Sequence, residues 1–182
     1  MGAIGSGPSA YLLTLDDLLP RNGCVLDVAG GSGRNAIWLA QRGLDVTVAD
    51  ISDVALELVR NEATVAGVGV KTVAIDLERE PFPAGPWDLI MVFHFLRYAL
   101  FPAYAEALRP GGLLVLCLGT RTSLQRRKRP SAHHLVEDGE LPSLVTGLEI
   151  LHYEEGWLEE DRHDARLVAR KPANGQSVEP DE

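Results

Sequence analysis

The residue types that could do chemistry concentrate at Val25 to Ala36, which reads Val-Leu-Asp-Val-Ala-Gly-Gly-Ser-Gly-Arg-Asn-Ala. An apolar run from Cys24 to Val28 gives way to small residues at Ala29 to Gly33, after which Ala36, Ile37 and Ala40 recur at helical spacing. This pattern predicts a strand, a glycine turn and a helix, the first unit of a nucleotide-binding α/β fold. Glycine lets the backbone take positive φ and come close to a ligand, and the free N–H groups of a helix start favour a negatively charged group. The expected ligand therefore carries a nucleoside and an anionic end. Gly31-Ser32-Gly33-Arg34-Asn35-Ala36 also fits the dinucleotide pattern G-x-G-x-x-G/A.

Asp27 points away from a dinucleotide. A carboxylate at the end of the first strand, four residues ahead of Gly31, repels a pyrophosphate and suits a ligand with a cationic amine. S-adenosylmethionine has an ammonium and a sulfonium. Leu44 to Ala49 reads as a second strand ending at Asp50, seventeen residues beyond Gly33, near the roughly 20 that bring an acid onto ribose hydroxyls. That position serves S-adenosylmethionine and NAD equally. A third strand, Val70 to Ile75, runs into Asp76-Leu77, and a fourth, Trp87 to Val92, exits through Phe93-His94-Phe95-Leu96-Arg97-Tyr98. Ligands of open α/β sheets bind beyond the carboxyl ends of the strands. Phe93 and His94 are thus expected near the sulfonium, with His94, Arg97 and Tyr98 as acceptor-side candidates and His94 as the candidate catalytic group.

Asp27, the glycine turn and the later strand-end acids together resemble class I S-adenosylmethionine-dependent methyltransferases. The resemblance runs from Ser9 to Lys171 and includes the Arg109-Pro110-Gly111-Gly112 turn before the fifth strand. It implies a cofactor set of Asp27, Ala29, Gly31, Gly33, Arg34, Asn35, Asp50, Ile51, Asp76, Leu77 and Phe93, with S-adenosylhomocysteine as product. In that family the acid at Asp76 binds the adenine amino group and the next backbone N–H reaches a ring nitrogen. The segment before the first strand often covers the cofactor, which makes Tyr11 a lid candidate. The family's usual first glycine is Ala29 here, a substitution expected to be tolerated at negative φ. Gly33-Arg34-Asn35-Ala36, Glu137-Asp-Gly-Glu-Leu141 and Leu148-Glu-Ile-Leu-His-Tyr-Glu-Glu-Gly156 look like the tellurite-resistance methyltransferase group. Members of that group handle oxyanions with a His-Arg pair shortly after the glycine that follows the sixth strand. Here Gly156 is followed by Trp157-Leu158-Glu159-Glu160, and Arg162-His163 stands displaced and in reversed order.

The remaining chain must position these groups. Ser9 to Leu19 predicts an amphipathic helix stopping at Pro20, Gly43 a left-handed cap on the next helix, and Ser52 the N-cap of a helix reaching Ala66. A helix begins near Pro102 and ends at Leu108, followed by a strand at Leu113 to Leu118. Gly119 to His134, with Arg121, Arg126, Arg127, Lys128 and Arg129, reads as a solvated basic loop, or as a surface that steers an anionic acceptor. Glu137 to Val145 predicts a short helix, and Leu148 to Tyr153 and Ala165 to Arg170 the last two strands. The fold class is α/β: one doubly wound domain over residues 9–171, with helices on both faces. Its seven strands are mostly parallel with one antiparallel. Residues 1–8 are expected to be flexible and residues 172–182 a disordered tail.

Composition narrows the partners. A net charge of −9 over 182 residues weighs against nucleic acid, which is gripped by clustered Lys and Arg. No apolar run approaches a membrane span of about 18 residues. Met1 to Pro8 has neither the basic nor the apolar part of a signal peptide, and Cys24 and Cys117 sit in apolar runs as buried hydrophobes, not as a metal site or disulfide. The expected compartment is the cytoplasm. The activity read from these residues is in-line transfer of a methyl group to a small-molecule or oxyanion acceptor, without metal. The alternatives are an NAD-linked oxidoreductase and a non-catalytic S-adenosylmethionine-binding protein or partner subunit.

Overall fold

Alternating apolar runs and amphipathic segments produce β1 (Cys24–Val28), α2 (Arg34–Gln41), β2 (Asp45–Asp50), α3 (Asp53–Ala66) and β3 (Val70–Ala74), preceded by a short α1 (Ala10–Thr14). They continue with β4 (Trp87–Phe93), α4 (Phe101–Ala107), β5 (Leu108–Gly119), α5 (Leu141–Leu144), β6 (Glu149–Trp157) and β7 (His163–Arg170). The computed structural model describes residues 7–158 and 161–173. Residues 1–6 of the start expected to be flexible, Glu159-Glu160, and residues 174–182 of the expected tail lie outside the described residues. One sheet of seven strands runs in the order β3-β2-β1-β4-β5-β7-β6. β7 runs antiparallel to both β5 and β6, as the doubly wound pattern with one reversed strand predicts. No helix among the described residues is long and apolar enough to cross a membrane.

By contacts the chain divides into two compact units, Met1–Pro81 with Trp87–Leu89, and Phe82–Pro86 with Ile90–Glu182. In the first, β1 pairs in parallel with β2 and β2 with β3, with Val25 opposite Val46 and Asp50 opposite Ala74. Val25, Leu26, Val28, Val46 and Val48 are buried, as are Ala36, Leu39, Leu56 and Val59 of the helices, each large side chain contributing about 1.5–3 kcal/mol. Ser52 caps α3 by accepting from Ala55 N at 3.2 Å, and Gly67 closes it at φ 69°. Gly43 at φ 89° ends the α2 segment with Leu44 N donating to Leu39 O. The helix expected from Ser9 to Leu19 is shorter. After Thr14 the chain folds into turns, with Leu18 N and Leu19 N both donating to Leu15 O.

The second unit departs further from the pattern. Strand conformation starts at Leu108, not Leu113, because Gly111 at φ 80° donates to Lys171 O while Lys171 N returns a bond to Gly112 O. β6 runs past Tyr153 to Trp157, pairing there with His163, and Leu158 N to Arg162 O closes the hairpin at 2.7 Å. The helix expected over 137–145 contracts to Leu141–Leu144. Gly139 holds a left-handed φ of 78°, and Glu137 N turns back onto the Glu140 carboxylate. The basic segment is folded, with 3-10 turns at Arg121–Gln125 and Ala132–His134. Buried Ser123 exchanges hydrogen bonds with the His163 backbone, and Thr120 bridges Val136.

The backbone at Ala29 corrects one expectation. Its φ is +51°, so alanine stands where the turn demands a left-handed residue, at a cost of about 1–2 kcal/mol. Gly33 also lies in this region at φ 74°, and a Cβ there would meet Val59 Cγ2 at 2.7 Å. Replacing Ala29 by glycine relieves the strain against about 0.5–1 kcal/mol of added chain entropy. Urea unfolding should show Ala29→Gly more stable by about 0.5–1 kcal/mol. Gly33→Ala should be less stable by at least about 2 kcal/mol. The reverse ranking contradicts the assigned turn.

Candidate active site

The turn between β1 and α2 carries the chain over a buried carboxylate. Asp27 is 2% exposed, and its Oδ2 has no hydrogen-bond partner among the described residues. Gly30 passes directly over it. A Cβ at that residue would lie 2.8 Å from the Asp27 carboxyl carbon and 2.9 Å from Val48 Cγ1, so only glycine allows the approach. Burial, with the nearby Asp50 charge adding and Arg34 opposing, raises the Asp27 pKa to about 7. Desolvation disfavours the charged form of an unpaired carboxylate, and a cation beside Oδ2 would reverse that.

The turn's own N–H groups are largely committed. Gly31 N donates to Asp50 Oδ2 at 2.9 Å, Gly30 N to Ala49 O, and Gly33 N to Gly30 O. Asp50 also takes Ser52 N on Oδ1 at 2.9 Å, so this acid ties the turn to the end of β2. Beside it Ile51 is 68% exposed, an apolar side chain at a strand end. Asp76 accepts from Glu78 N at 3.0 Å and faces Arg79, while its own N–H goes to Glu80; Leu77 is buried. Asn35 is buried at the start of α2, and its Oδ1 accepts Ser9 N at 2.8 Å. It acts as a strap on the segment carrying Tyr11, which is itself buried at 7% exposure. Arg34 is exposed. Asp27, Ala29, Gly31, Gly33 and Asn35 thus follow one another from β1 through the turn into α2, Asp50 is tied to that turn from the end of β2, and Asp76 with Leu77 follows the neighbouring edge strand. A larger cavity of about 370 Å³ is lined by α2 and α3, including Ser32, Arg34 and Trp38, but by none of the three acids.

The acceptor-side candidates belong to the second unit. Phe93 is half-buried, and His94 adopts φ +57°, its N–H donating to Cys117 O at 2.8 Å. Arg97 is exposed at the start of a 3-10 turn, Tyr98–Leu100. Tyr98 donates its hydroxyl to Glu140 at 2.8 Å, and burial together with that carboxylate pushes its pKa up to about 12. Sequence reasoning missed Asp164, which reads there as one polar residue in a hairpin turn. It is fully buried in β7, with Arg162 Nε at 2.9 Å, Cys117 Sγ at 3.5 Å and His94 Nε2 at 3.9 Å, all on Oδ2. A cavity of about 210 Å³ lies beside them, lined by His94, Gly119, Arg127, Arg129, His134 and Arg162 among others. His94, Cys117 and Asp164 hold the spacing of a metal triad. Their chemistry is not that of one, because Arg162 occupies the shared carboxylate oxygen and burial pushes the Cys117 thiol far up. Arg162-His163 is likewise engaged, Arg162 with Asp164 and His163 Nδ1 with the Thr120 hydroxyl at 2.8 Å.

Residues 25–112 match the family described as methyltransferase domain. The ubiquinone/menaquinone biosynthesis C-methyltransferase UbiE of Bordetella parapertussis is 36% identical over 100 residues, 50% of this chain and 39% of that protein. The ubiquinone biosynthesis O-methyltransferase of Idiomarina loihiensis is 32% identical over 95 residues, 48% of this chain and 39% of that protein. Over residues 25–112 the chain is similar to methyltransferase domains. It spans 39% of the length of these curated relatives. The crystal structure of TehB from Haemophilus influenzae matches the methyltransferase fold with a TM-score of 0.76 at 23% identity, over 90% of this chain and 62% of that one. At that identity the likeness concerns the fold.

The turn fits S-adenosylmethionine, the cofactor of the methyltransferases it resembles, on one physical ground: a buried carboxylate oxygen lacking a donor among the described residues, at a site where Gly31 N is already taken by a second carboxylate. An ammonium satisfies the first, whereas a pyrophosphate finds two acids. Removing the charge should separate binding from folding. Between about pH 4 and pH 7 the folded state holds a proton on Asp27 that the unfolded chain releases, so its contribution to stability is lost as pH rises through that window. Asp27→Asn should therefore be at least as stable as wild type at about pH 8, with the difference shrinking toward about pH 4. It should bind S-adenosylmethionine about 10- to 100-fold more weakly, the size of a lost charged hydrogen bond. Thermal melts and calorimetric titration measure both, and unchanged affinity contradicts the assignment.

Proposed function

We propose that the chain binds S-adenosylmethionine through its first unit and transfers the methyl group in line to a small-molecule acceptor. The buried Oδ2 of Asp27, without a hydrogen-bond partner among the described residues, carries this reading. In it, Asp27 receives the ligand's ammonium, and the turn from Ala29 to Gly33 lets the ligand backbone approach. Asp50 accepts from the ribose hydroxyls with the lone pairs that Gly31 and Ser52 leave open, and Ile51 covers an apolar face of the nucleoside. Asp76 meets the adenine amino group beside Leu77. Arg34 and Asn35 hold the helix start, and Tyr11 is tied to it through the Ser9 bond to Asn35.

When bound, S-adenosylmethionine supplies a methyl on a positively charged sulfur that leaves readily. The protein's part is alignment of the acceptor and exclusion of water. Phe93 is assigned to the cofactor side of the fourth strand's exit; His94, Arg97 and Tyr98 are assigned to the acceptor side. The Glu140 bond commits Tyr98 to shaping the segment. An anionic acceptor is favoured by the cavity that Arg127 and Arg129 line in an otherwise acidic protein. Tellurite-like oxyanions are disfavoured by the engagement of Arg162 with Asp164 and His163 with Thr120. Two free cysteines agree with a cytoplasmic location. Calorimetric titration should give micromolar affinity for S-adenosylhomocysteine and no heat with NADH. The opposite pattern replaces this reading with a dinucleotide-linked one, and cofactor binding without methylated product from oxyanion, thiol, amine or hydroxyl acceptors replaces it with a non-catalytic one.

A further inference from the structure

We infer that the groove between α2 and α3 is a self-association surface, seated in solution against the same groove of a second copy of the chain. The inference goes beyond the cofactor reading and does not depend on it. α3 is apolar on two sides. Leu56, Val59 and Ala63 are buried, the face that an amphipathic helix turns to its own core. Val54, Leu58 and Val65 are instead 71%, 43% and 84% exposed, at steps of four and seven residues that set them along one line of the helix.

That line borders a recess. The cavity of about 370 Å³ between the two helices is lined by Ile37, Trp38, Leu58 and Val65, together with the exposed side chains of Arg34 and Glu62. Trp38 is held in place there: the Arg42 guanidinium lies 4.5 Å from its ring centre, and Arg42 is itself paired with Asp16. All of these residues belong to the first unit. Apolar side chains in company with charged ones at their margin have the anatomy of a protein contact, and exposed apolar side chains gathered in one patch mark such a site.

The two charges choose the occupant. Neither the Arg34 nor the Glu62 side chain makes an ion pair or hydrogen bond among the described residues. A basic partner would set like charge against Arg34, and an acidic partner would do the same to Glu62, so a surface of one sign fits only half of the groove. A second copy fits all of it. In a two-fold contact residue i meets residue j of the other copy and j meets i, so Arg34 of each copy faces Glu62 of the other and both pairs form at once. Leu58 and Val65 then pack across the axis between them. The patch is small, which places the association among weak, reversible contacts.

Sedimentation equilibrium of the full chain should show a reversible monomer–dimer equilibrium with a Kd of about 1–100 µM. Val65→Asp, at a side chain too exposed to serve the fold, should weaken it at least about tenfold with an unchanged thermal melt. Glu62→Arg should weaken it about tenfold as well, although it brings the net charge of −9 nearer zero and so lessens general repulsion. Adding Arg34→Glu to Glu62→Arg should restore the wild-type Kd to within about threefold. Should reversal at Arg34 unfold the chain, Arg34→Ala and Glu62→Ala give the same readout in a double-mutant cycle, the double variant losing no more than either single one. A chain still monomeric at about 200 µM overturns the inference and leaves the groove to a different protein or a small ligand. A dimer that Val65→Asp or Glu62→Arg leaves intact also overturns it, as does a double variant that shows no recovery or coupling.

Discussion

A buried carboxylate oxygen with no hydrogen-bond partner among the described residues is the constraint on which the first unit depends. Asp27 ends β1 beneath a backbone that passes within touching distance at Gly30, and burial raises its pKa to about 7. An apolar residue there would spare the fold that desolvation, and the chain keeps the acid. The glycines follow from that choice: Gly30 clears the carboxylate, Gly33 clears Val59, and Ala29 accepts positive φ so that the turn can complete itself. Asp50 closes the arrangement by holding Gly31 N.

The second unit buries a carboxylate by the opposite means. Asp164 is surrounded by Arg162, Cys117 and His94 on one oxygen, so much of its charge is answered from within. An internally compensated acid orients its neighbours, whereas an uncompensated one invites a ligand. On that difference rests the proposal that Asp27, and not Asp164, meets a cationic ligand.

The first unit was legible because local pattern and tertiary role coincide there. An apolar run, five small residues and a helical period fix β1, the turn and α2, and Ser52 and Gly43 mark helix ends by the same backbone chemistry that the structure uses. The φ of Ala29 was not legible, because an alanine gives no sign of a left-handed conformation that its surroundings impose. The second unit's site was hidden for a different reason. Asp164 and Cys117 come together only through the antiparallel pairing of β5 with β7, in which Gly119 lies opposite Asp164. Within the polar run Asp161-Arg162-His163-Asp164, nothing distinguishes the acid that turns inward from the one that faces water. The extension of β6 to Trp157 and the folding of the basic segment on Ser123 depend on the same long-range pairing.

Whether the Asp27 carboxylate ionises to receive a cationic ligand is measured most directly by proton release on S-adenosylhomocysteine binding at about pH 6, obtained by titration calorimetry in two buffers of different ionisation enthalpy. With a pKa of about 7 in the free protein, wild type should release close to one proton and Asp27→Asn none. Tight binding by the wild-type chain with no proton released would contradict the account.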